Sequence, residues 1–350
     1  CVLIIGCGIW LTLRVRLLQV RHLGRALHYM VRNESNGEGE VTSFGALCTA
    51  LSATIGTGNI VGVATAIAAG GPGALLWMEI AAFFGMATKY SEGLLAIKYR
   101  TIDENNHVLG GPFYYIERGM GKNWKWLAKL FAFFGAGAGL LGIGTITQVN
   151  GITSAAQNFF DPNLQHVVFS IGSGASATPI TLTTIIAGIL VTLAVALVVI
   201  GGIKRIAQVS QIVVPFMAIA YVAFAIVLLV CNLPHIPNAI ATIITAAFAP
   251  QAALGGVIGA TIKDAIQNGV ARGIFSNEAG LGSAPIAAAA AQTKEPVRQG
   301  LVTMTGTFID TIVVCTMTGL AIVITESWLP EYGLKGVQIT TRAFQVGLPF

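Results

Sequence analysis

Two polar, glycine-containing runs interrupt long apolar stretches of the 350-residue chain. The first extends from Ser52 to Gly62 and places Gly56, Gly58 and Asn59 in the middle of an apolar span. Each glycine inside a helix costs about 1 kcal/mol relative to alanine, so this run favours a local break. A break would free carbonyl groups for a cation and N–H groups for a carboxylate, which a membrane tolerates only around a cavity. The alternative is a continuous helix that packs closely through small residues.

The second run extends from Gly273 to Pro285 and combines an acidic residue, Glu278, with an amide, two hydroxyls, glycines and a proline. An ionisable residue at membrane depth predicts a functional site. A loop is the alternative, but the neighbouring stretches would then be too short to span a bilayer. In the predicted topology the two runs cross the membrane in opposite directions. Paired interrupted helices of this kind indicate the binding site of a secondary transporter built from an inverted repeat.

The composition predicts an all-α integral membrane protein. Hydrophobic residues make up 54% of the chain and charged residues only 10%, whereas soluble domains carry about 25% charge. The mean hydropathy is +0.75. Several stretches reach the roughly 20 residues that a helix needs to cross the hydrocarbon core. Eight spans are predicted, at about 2–20, 46–69, 74–97, 127–160, 180–201, 206–231, 253–292 and 300–325.

The distribution of basic residues predicts the orientation. If residue 1 lies outside, most of the 20 Lys and Arg fall in cytoplasmic segments, as the positive-inside rule requires. The net charge of +5 therefore needs no nucleic-acid partner. The segment from Arg32 to Glu40, which contains Gly37 and Gly39, is interpreted as a flexible cytoplasmic linker. The chain begins with Cys1 and ends at Phe350, and we interpret it as a fragment truncated at both ends.

Six motifs together resemble one known family, the alanine or glycine:cation symporters of bacteria and archaea. This family is also described as the sodium:alanine symporters, within the amino acid-polyamine-organocation superfamily. The motifs extend over nearly the whole chain: Ala46 to Gly62, Gly70 to Ala74, Gly85 to Tyr90, Gly201 to Ile206, Gly269 to Pro285, and Phe308 to Thr311.

The resemblance implies a leucine-transporter-like inverted-repeat fold, with five-plus-five helices preceded by one extra helix. Eight of about eleven spans would be present. Residues 1–45 would form the peripheral first helix and the cytoplasmic linker, and residues 46–233 the first five-helix repeat. Residues 234–350 would form an external connection and the first two helices of the second repeat. One departure is Glu79, where the family usually has tryptophan; a carboxylate there needs an interface, a cavity or a partner.

The resemblance also implies where a small amino acid would bind. Its carboxylate would meet the N–H groups of Gly56, Thr57 and Gly58, near a half-helix N-terminus. Its ammonium would face oxygens of the second run, with Phe275 limiting the size of the substrate. The family suggests that Gln148 contacts the substrate, and interhelical hydrogen bonding is the alternative. The second-run residues that would face the ammonium are Ile274, Phe275, Ser276 and Asn277.

Sodium is a hard cation that prefers oxygen ligands. The carbonyl of Thr54 with the side chains of Asn59, Ser276 and Asp310 would form such a site, with Asp310 supplying the negative charge. The alternative for Asp310 is a salt bridge, for example to Arg272.

Two further acidic residues, Glu278 and Glu92, lie outside these predicted binding sites. Glu278 would either brace the break or carry a proton. Lys89 and Glu92, spaced i,i+3, are interpreted as a structural ion pair.

These features predict sodium-coupled symport of alanine or glycine into the cytoplasm by alternating access. The partners would be a small neutral amino acid, co-transported sodium and the lipid bilayer of a bacterial or archaeal plasma (inner) membrane. The alternative is a proton-coupled amino-acid permease of the same fold, with Glu278 or Asp310 as the protonated group. An intramembrane enzyme is disfavoured, because the five histidines lie in loops or near span ends. A channel would differ by a flux that does not saturate.

Overall fold

The computed structural model consists of α-helices with two short β-hairpins, which confirms the predicted all-α class. It describes residues 2–34, 37–105, 107–142, 144–172, 178–249 and 261–349. The predicted span at 253–292 therefore begins at residues outside the described ones.

The amino-terminal part of the chain contains seven α-helices, one π-helix and the first hairpin. The π-helix, π1, separates α4 from α5, and the hairpin follows the long helix α6. In chain order the elements are α1 (Val2–Arg14), α2 (Leu18–Arg21), α3 (Leu23–Val31), α4 (Ser43–Thr54), π1 (Gly58–Gly62), α5 (Val63–Gly70), α6 (Gly73–Lys98), β1 (Thr101–Ile102), β2 (Val108–Leu109) and α7 (Pro112–Met120).

The rest of the described chain contains ten further α-helices, a second π-helix, π2, and the second hairpin. Short 3₁₀ turns at Lys122–Trp124, Leu233–His235 and Pro330–Tyr332 connect some of them. The elements are α8 (Lys125–Leu140), α9 (Thr145–Phe160), β3 (Val167–Ile171), β4 (Thr178–Thr181), α10 (Leu182–Val199), α11 (Gly202–Cys231), α12 (Ile236–Phe248), α13 (Ile262–Asn277), α14 (Ala284–Ala289), α15 (Pro296–Thr307), π2 (Phe308–Cys315), α16 (Thr316–Ile324) and α17 (Val337–Gly347).

Four helical stretches among the described residues are long and apolar enough to cross a membrane. A fifth arises if α4 and the helical segment after it form one span with a 49° bend. The 26-residue helix α6 has the length, about 39 Å at 1.5 Å per residue, but Glu79, Lys89 and Glu92 lower its hydropathy. The predicted total of eight spans, the leucine-transporter-like fold and the boundaries at residues 45 and 233 therefore stay predictions. The four stretches are Lys122–Phe160, Leu182–Val199, Gly202–Cys231 and Pro296–Ile324.

The helix α6 lies at the centre of the packing, in contact with α1, α12, α13, α14 and α15. The largest buried apolar cluster includes Ile67, Met78, Ile322 and Ile339. By contrast, α10 has no buried residue. An apolar helix without a buried residue fits a lipid-facing position.

The linker that the sequence predicts to be flexible is instead paired with another segment where the structure describes it. Residue Val41 forms an isolated parallel bridge with Ala291, and the Gln292 N–H donates to the Val41 carbonyl at 2.7 Å. The two glycines of the linker allow a close backbone approach here. A Cβ on Gly37 would lie 2.5 Å from Thr293 backbone atoms, and one on Gly39 would lie 2.5 Å from the Ala291 carbonyl oxygen.

A stability prediction follows from the close packing of α13 on α6. A Cβ on Gly269 would lie 2.2 Å from the Ala74 carbonyl oxygen, which cannot move without shifting α6. Overpacking of this kind costs about 1–3 kcal/mol, so Gly269→Ala is expected to lower the melting temperature by roughly 5 °C. Gly188→Ala is the matched control, because a Cβ there meets nothing within 4 Å. Thermal unfolding in detergent measures both, and equal melting temperatures would contradict the packing.

Candidate functional site

The first glycine run is broken, as predicted. The helix α4 ends at Thr54, and Ile55 is extended, with φ −75° and ψ 104°. The chain becomes helical again only at π1, which contains Asn59. A π-helix is rare and occurs frequently at functional sites.

The second run is also broken, but later in the chain than its first polar residues suggest. The helix α13 continues through Asn277, and α14 begins at Ala284. Between them Glu278, Gly280 and Gly282 have positive φ angles of 55°, 86° and 79°. Glycine adopts this backbone region without the steric cost of a Cβ, so the two glycines explain why the helix stops here.

The two broken helices meet each other. The Asn59 Nδ2 donates to the Ser276 Oγ at 3.2 Å, which joins π1 to the last turn of α13. A Cβ on Gly58 would lie 3.4 Å from the Ser276 Cα and 3.5 Å from its Oγ. The two runs identified in the sequence thus form one locus, although they lie far apart along the chain.

A buried carboxylate, that of Asp310 in π2, organises this locus. Its Oδ1 accepts from Asn59 Nδ2 at 2.8 Å. Its Oδ2 accepts from Ser276 Oγ at 3.0 Å and from Thr311 Oγ1 at 2.7 Å. The side chain is fully buried, and hydrogen bonds to a charged group in such surroundings are short and strong. Three of the four predicted sodium ligands, Asn59, Ser276 and Asp310, are therefore in mutual contact.

The oxygen chemistry of the locus suits a hard cation. The carboxylate oxygens of Asp310, the hydroxyls of Ser276 and Thr311, and the Asp310 carbonyl surround the Asn59 amide. The fourth predicted ligand, Thr54, ends α4, and its hydroxyl donates to the Leu51 carbonyl at 3.5 Å.

Most predicted substrate contacts of the first run lie beside this locus. The Gly56 N–H donates to the Asn59 Oδ1 at 2.8 Å, so one predicted carboxylate donor already has a partner. Packing brings Thr57 against Gly151 of α9. The Gln148 Nε2 donates to the Ala53 carbonyl at 2.9 Å. This bond is the interhelical one that the sequence left as an alternative.

In the second run, the predicted contacts form the end of α13. The carbonyl of Ile274 accepts from the Glu278 N–H at 2.8 Å. Since the last four carbonyls of a helix have no partner within it, those of Phe275, Ser276 and Asn277 have no helical donor. The side chain of Phe275 is 37% exposed. Its role in limiting substrate size stays a prediction.

Two residues of π2 that the sequence analysis passed over belong to the locus. Thr311 links Asp310 to Asn277, whose Nδ2 donates to the Thr311 Oγ1 at 3.1 Å. The Sγ of Cys315 lies 3.4 Å from the Asn59 Nδ2. A signal was present, since both residues are within five positions of Asp310 in an apolar run. What the sequence does not show is the π-helix that turns them to the same side.

Two ion pairs that the sequence analysis considered, one as a prediction and one as an alternative, are not found in the described residues. Asp310 has no salt bridge to Arg272, which is exposed. Lys89 and Glu92 are both buried but do not pair within 4.0 Å. The Glu92 Oε1 instead accepts from the Gly282 N–H at 3.3 Å, because its side chain is directed at the second break.

Two further acidic residues that the sequence analysis discussed, Glu278 and Glu79, differ in the partners that compensate their charge. Glu278 accepts a hydrogen bond from the Ser283 hydroxyl, which fits the interpretation that it braces the break. Both carboxylate oxygens of Glu79 are buried; the Thr316 hydroxyl lies beside them, and no basic side chain of the described residues pairs with them. A buried charge without a partner is costly, so Glu79 requires a proton or a cation.

Comparison with known proteins defines the class first: the chain is a multi-pass membrane transporter, not an enzyme. A family model described as the sodium:alanine symporter family matches residues 1–349. The chain belongs to this family, as the resemblance in its motifs implied.

Three relatives are similar over nearly the whole chain. An uncharacterized transporter of Haemophilus influenzae is 56% identical over 348 residues, which are 99% of this chain and 71% of that protein. The sodium/alanine symporter AgcS of Methanococcus maripaludis is 46% identical over 356 residues, 99% of this chain and 73% of that protein. A Bacillus subtilis protein, named a putative sodium/proton-dependent alanine carrier, is 40% identical over 347 residues, 96% of this chain and 65% of that protein. The family supports cation-coupled transport of amino acids.

The contact between the two breaks predicts how glycine replacement affects transport. A Cβ at Gly58 would already be in van der Waals contact with Ser276, 3.4 Å from its Cα, so the two further methyl groups of valine would crowd this junction. Gly58→Val is therefore expected to reduce amino-acid uptake by about 100-fold or more, because it pushes the two breaks apart. Gly62→Val, in the same π-helix, is the control, since a Cβ there meets nothing within 4 Å. Uptake into cells, normalised to protein in the membrane, measures both. Equal loss in both variants would argue against the contact.

Proposed function

We propose that the protein is a sodium-coupled symporter of alanine or glycine that moves its substrate into the cytoplasm by alternating access. The observation that carries this proposal is the buried carboxylate of Asp310, held by side chains from both broken helices. Such a carboxylate in an apolar interior offers a cation the negative charge that it needs. The name of the archaeal relative at 46% identity, a sodium/alanine symporter, supports the same ion and substrate.

The same arrangement supplies a mechanism of coupling. Asn59 belongs to the first broken helix, Ser276 to the second, and Asp310 to π2. A sodium ion bound to all three would draw the two breaks together. The substrate would bind to backbone groups of those breaks, so an occupied ion site would preorganise the substrate site. Coupling then consists of a difference in substrate affinity between the ion-bound and ion-free states.

The substrate site proposed here is small and polar. An amino-acid carboxylate would bind the N–H groups of Thr57 and Gly58, which follow the extended Ile55. Its ammonium would face the free carbonyls at the end of α13. The contact of Gly58 with Ser276 leaves little space between the breaks, which favours a substrate with a methyl group or none.

A proton-coupled permease is the second candidate, and two observations favour it. Glu79 carries a buried carboxylate that has the Thr316 hydroxyl beside it but no basic partner among the described residues. One relative is named for dependence on sodium or protons. Uptake that follows a pH gradient and ignores sodium would select this candidate over the first.

The central test uses purified protein in liposomes with radiolabelled alanine. An inward sodium gradient is expected to drive accumulation, and Asp310→Asn is expected to abolish the sodium dependence, because the amide carries no charge to bind the ion. Asp103→Asn is the control, since Asp103 is a half-buried loop residue that lies outside the site and accepts from the Asn105 and His107 N–H groups. Sodium dependence that survives in Asp310→Asn, or wild-type uptake without any sodium effect, would overturn the proposal.

The hydroxyl of Ser276 gives a second, graded prediction. Ser276→Ala removes a proposed sodium ligand and a donor to Asp310. A hydrogen bond to a charged group contributes about 1.5–3 kcal/mol, so the sodium concentration for half-maximal uptake is expected to rise roughly 10-fold to 100-fold.

The control for this prediction is Ser43→Ala. The Ser43 hydroxyl is also buried but has no hydrogen-bond partner in the described structure. Its removal is expected to leave the sodium titration unchanged. Equal sodium titrations for Ser276→Ala and the wild type would remove Ser276 from the ion site.

A further inference from the structure

The half-helices α4 and α14 each have one end at the broken site and one end away from it. The end of α4 away from the site begins at Ser43, directly after the linker. The end of α14 away from the site is Ala289, and residues 290–293 follow it. These two distal segments are paired. Both the Glu40 and the Val41 N–H donate to the Ala290 carbonyl, at 2.9 and 3.1 Å.

A single guanidinium, that of Arg100 just after α6, joins the two segments further. Its Nη1 donates to the Ala289 carbonyl at 2.7 Å and to the Ala291 carbonyl at 2.6 Å. Its Nη2 donates to the Thr293 carbonyl at 2.8 Å and to the Glu38 carbonyl at 2.5 Å. Three of the four acceptors lie at or after the end of α14, and the fourth lies in the linker before α4.

The chemistry of arginine suits this position. The planar guanidinium presents five N–H donors in a rigid fork, whereas a lysine ammonium is a point charge on a flexible stem. Carbonyls in the last turn of a helix have no helical partner, and Arg100 satisfies that of Ala289. The bond to the Glu38 carbonyl differs from the other three, because it joins the segment after α14 to the linker before α4.

The position of this link relative to the broken site gives it a mechanical role. The helix α4 has 12 residues, about 18 Å, and α14 has six, about 9 Å. Any path from the site between these half-helices to the face that carries Arg100 requires them to separate. Separation breaks the backbone pairing and the Glu38 bond, while Arg100 keeps its three acceptors on the α14 side.

We infer that Arg100 is a positioning residue that clamps the distal ends of α4 and α14. Release of Glu38 from Arg100 would then open the site toward the face that carries Arg100. This inference rests on the proposed transport function. The sequence predicts that this face is cytoplasmic. The clamp would therefore set the balance between the closed and the inward-open carrier. It binds neither substrate nor ion, and acts through the two half-helices.

The test uses Cys315 as a reporter, because it is fully buried and lies 3.4 Å from Asn59 in the site. All other cysteines are replaced, and Cys315 is labelled with a small membrane-impermeant thiol reagent in right-side-out and inside-out vesicles. Arg100→Gln is expected to raise the labelling rate about tenfold in inside-out vesicles, with no rise in right-side-out vesicles. Arg100→Lys is expected to give an intermediate rise, because it restores one donor group without the fork.

Lys98→Gln is the matched control. Lys98 is exposed, and its ammonium lies over the Tyr99 ring at 5.5 Å, away from both segments. It is expected to label like the wild type. A purely structural role for Arg100 would increase labelling equally from both sides, and that result, or an unchanged rate in Arg100→Gln, would overturn the inference.

Uptake separates the clamp from the proposed function. If Arg100→Gln shifts carriers to the inward-open state, fewer carriers are ready to bind external substrate, so the KM for uptake is expected to rise several-fold. The labelling experiment does not depend on transport. One-sided labelling together with sodium-independent uptake would therefore support the clamp and reject the coupling ion, whereas sodium-driven uptake with unchanged labelling would do the reverse.

Discussion

The burial of one carboxylate constrains the rest of this structure. Asp310 is fully enclosed, and an enclosed charge is tolerated only when donors or a cation compensate it. Its donors come from π1, from the end of α13 and from the neighbouring Thr311. No single helix could supply all of them. Because the buried carboxylate of Asp310 needs donors from both broken helices, both helices lie against π2.

At both breaks near this carboxylate, backbone N–H groups donate hydrogen bonds to side chains of the same irregular segments. At the first break the Gly56 N–H loses its helical acceptor, and the Asn59 side chain accepts from it instead. At the second break the Ala279 N–H donates to the Asn277 Oδ1 at 3.0 Å. Asn59 thus caps its own break through one end of the amide and contacts Asp310 through the other. Local backbone structure and the contact between breaks consequently depend on the same side chain, which suits a site that must respond to an ion.

The sequence predicted the locus well because its signals were strong. The family resemblance pointed to Asp310, and the role of Asp310, Asn59 and Ser276 as a binding site stays a prediction. The two runs that contain Asn59 and Ser276 came from the argument that glycines and polar side chains inside apolar spans are costly unless they serve a site. It failed where the outcome depends on the direction of a side chain. Spacing alone favoured a pair between Lys89 and Glu92, but Glu92 is directed at the Gly282 N–H of another segment. No residue type marks a π-helix, so the closeness of Thr311 and Cys315 to Asp310 in the sequence was not enough to predict their contacts.

The linker before α4 shows the same limit of prediction from sequence, because a segment that was predicted to be flexible is paired in the structure. Its glycines predicted flexibility, yet they permit the close backbone approach to residues 291–293. Glycine in a polar segment is compatible with either outcome, and only the partner decides between them. That partner is supplied by the segment after α14, which no local pattern connects to residue 39.

The helix α14 is short, and α6 with the residue just after it supplies contacts at both ends of α14. Helices of fewer than about 12 residues are marginal by themselves, so a six-residue helix depends on contacts at its ends. Glu92 of α6 holds Gly282 just before α14, and Arg100, just after α6, holds Ala289 at its end. Both ends of α14 are thus attached to α6, whereas α4 is joined to this unit by the linker pairing and the Glu38 bond. Separation of the two half-helices therefore has to break the linker pairing and the Glu38 bond, while both attachments of α14 to α6 can remain.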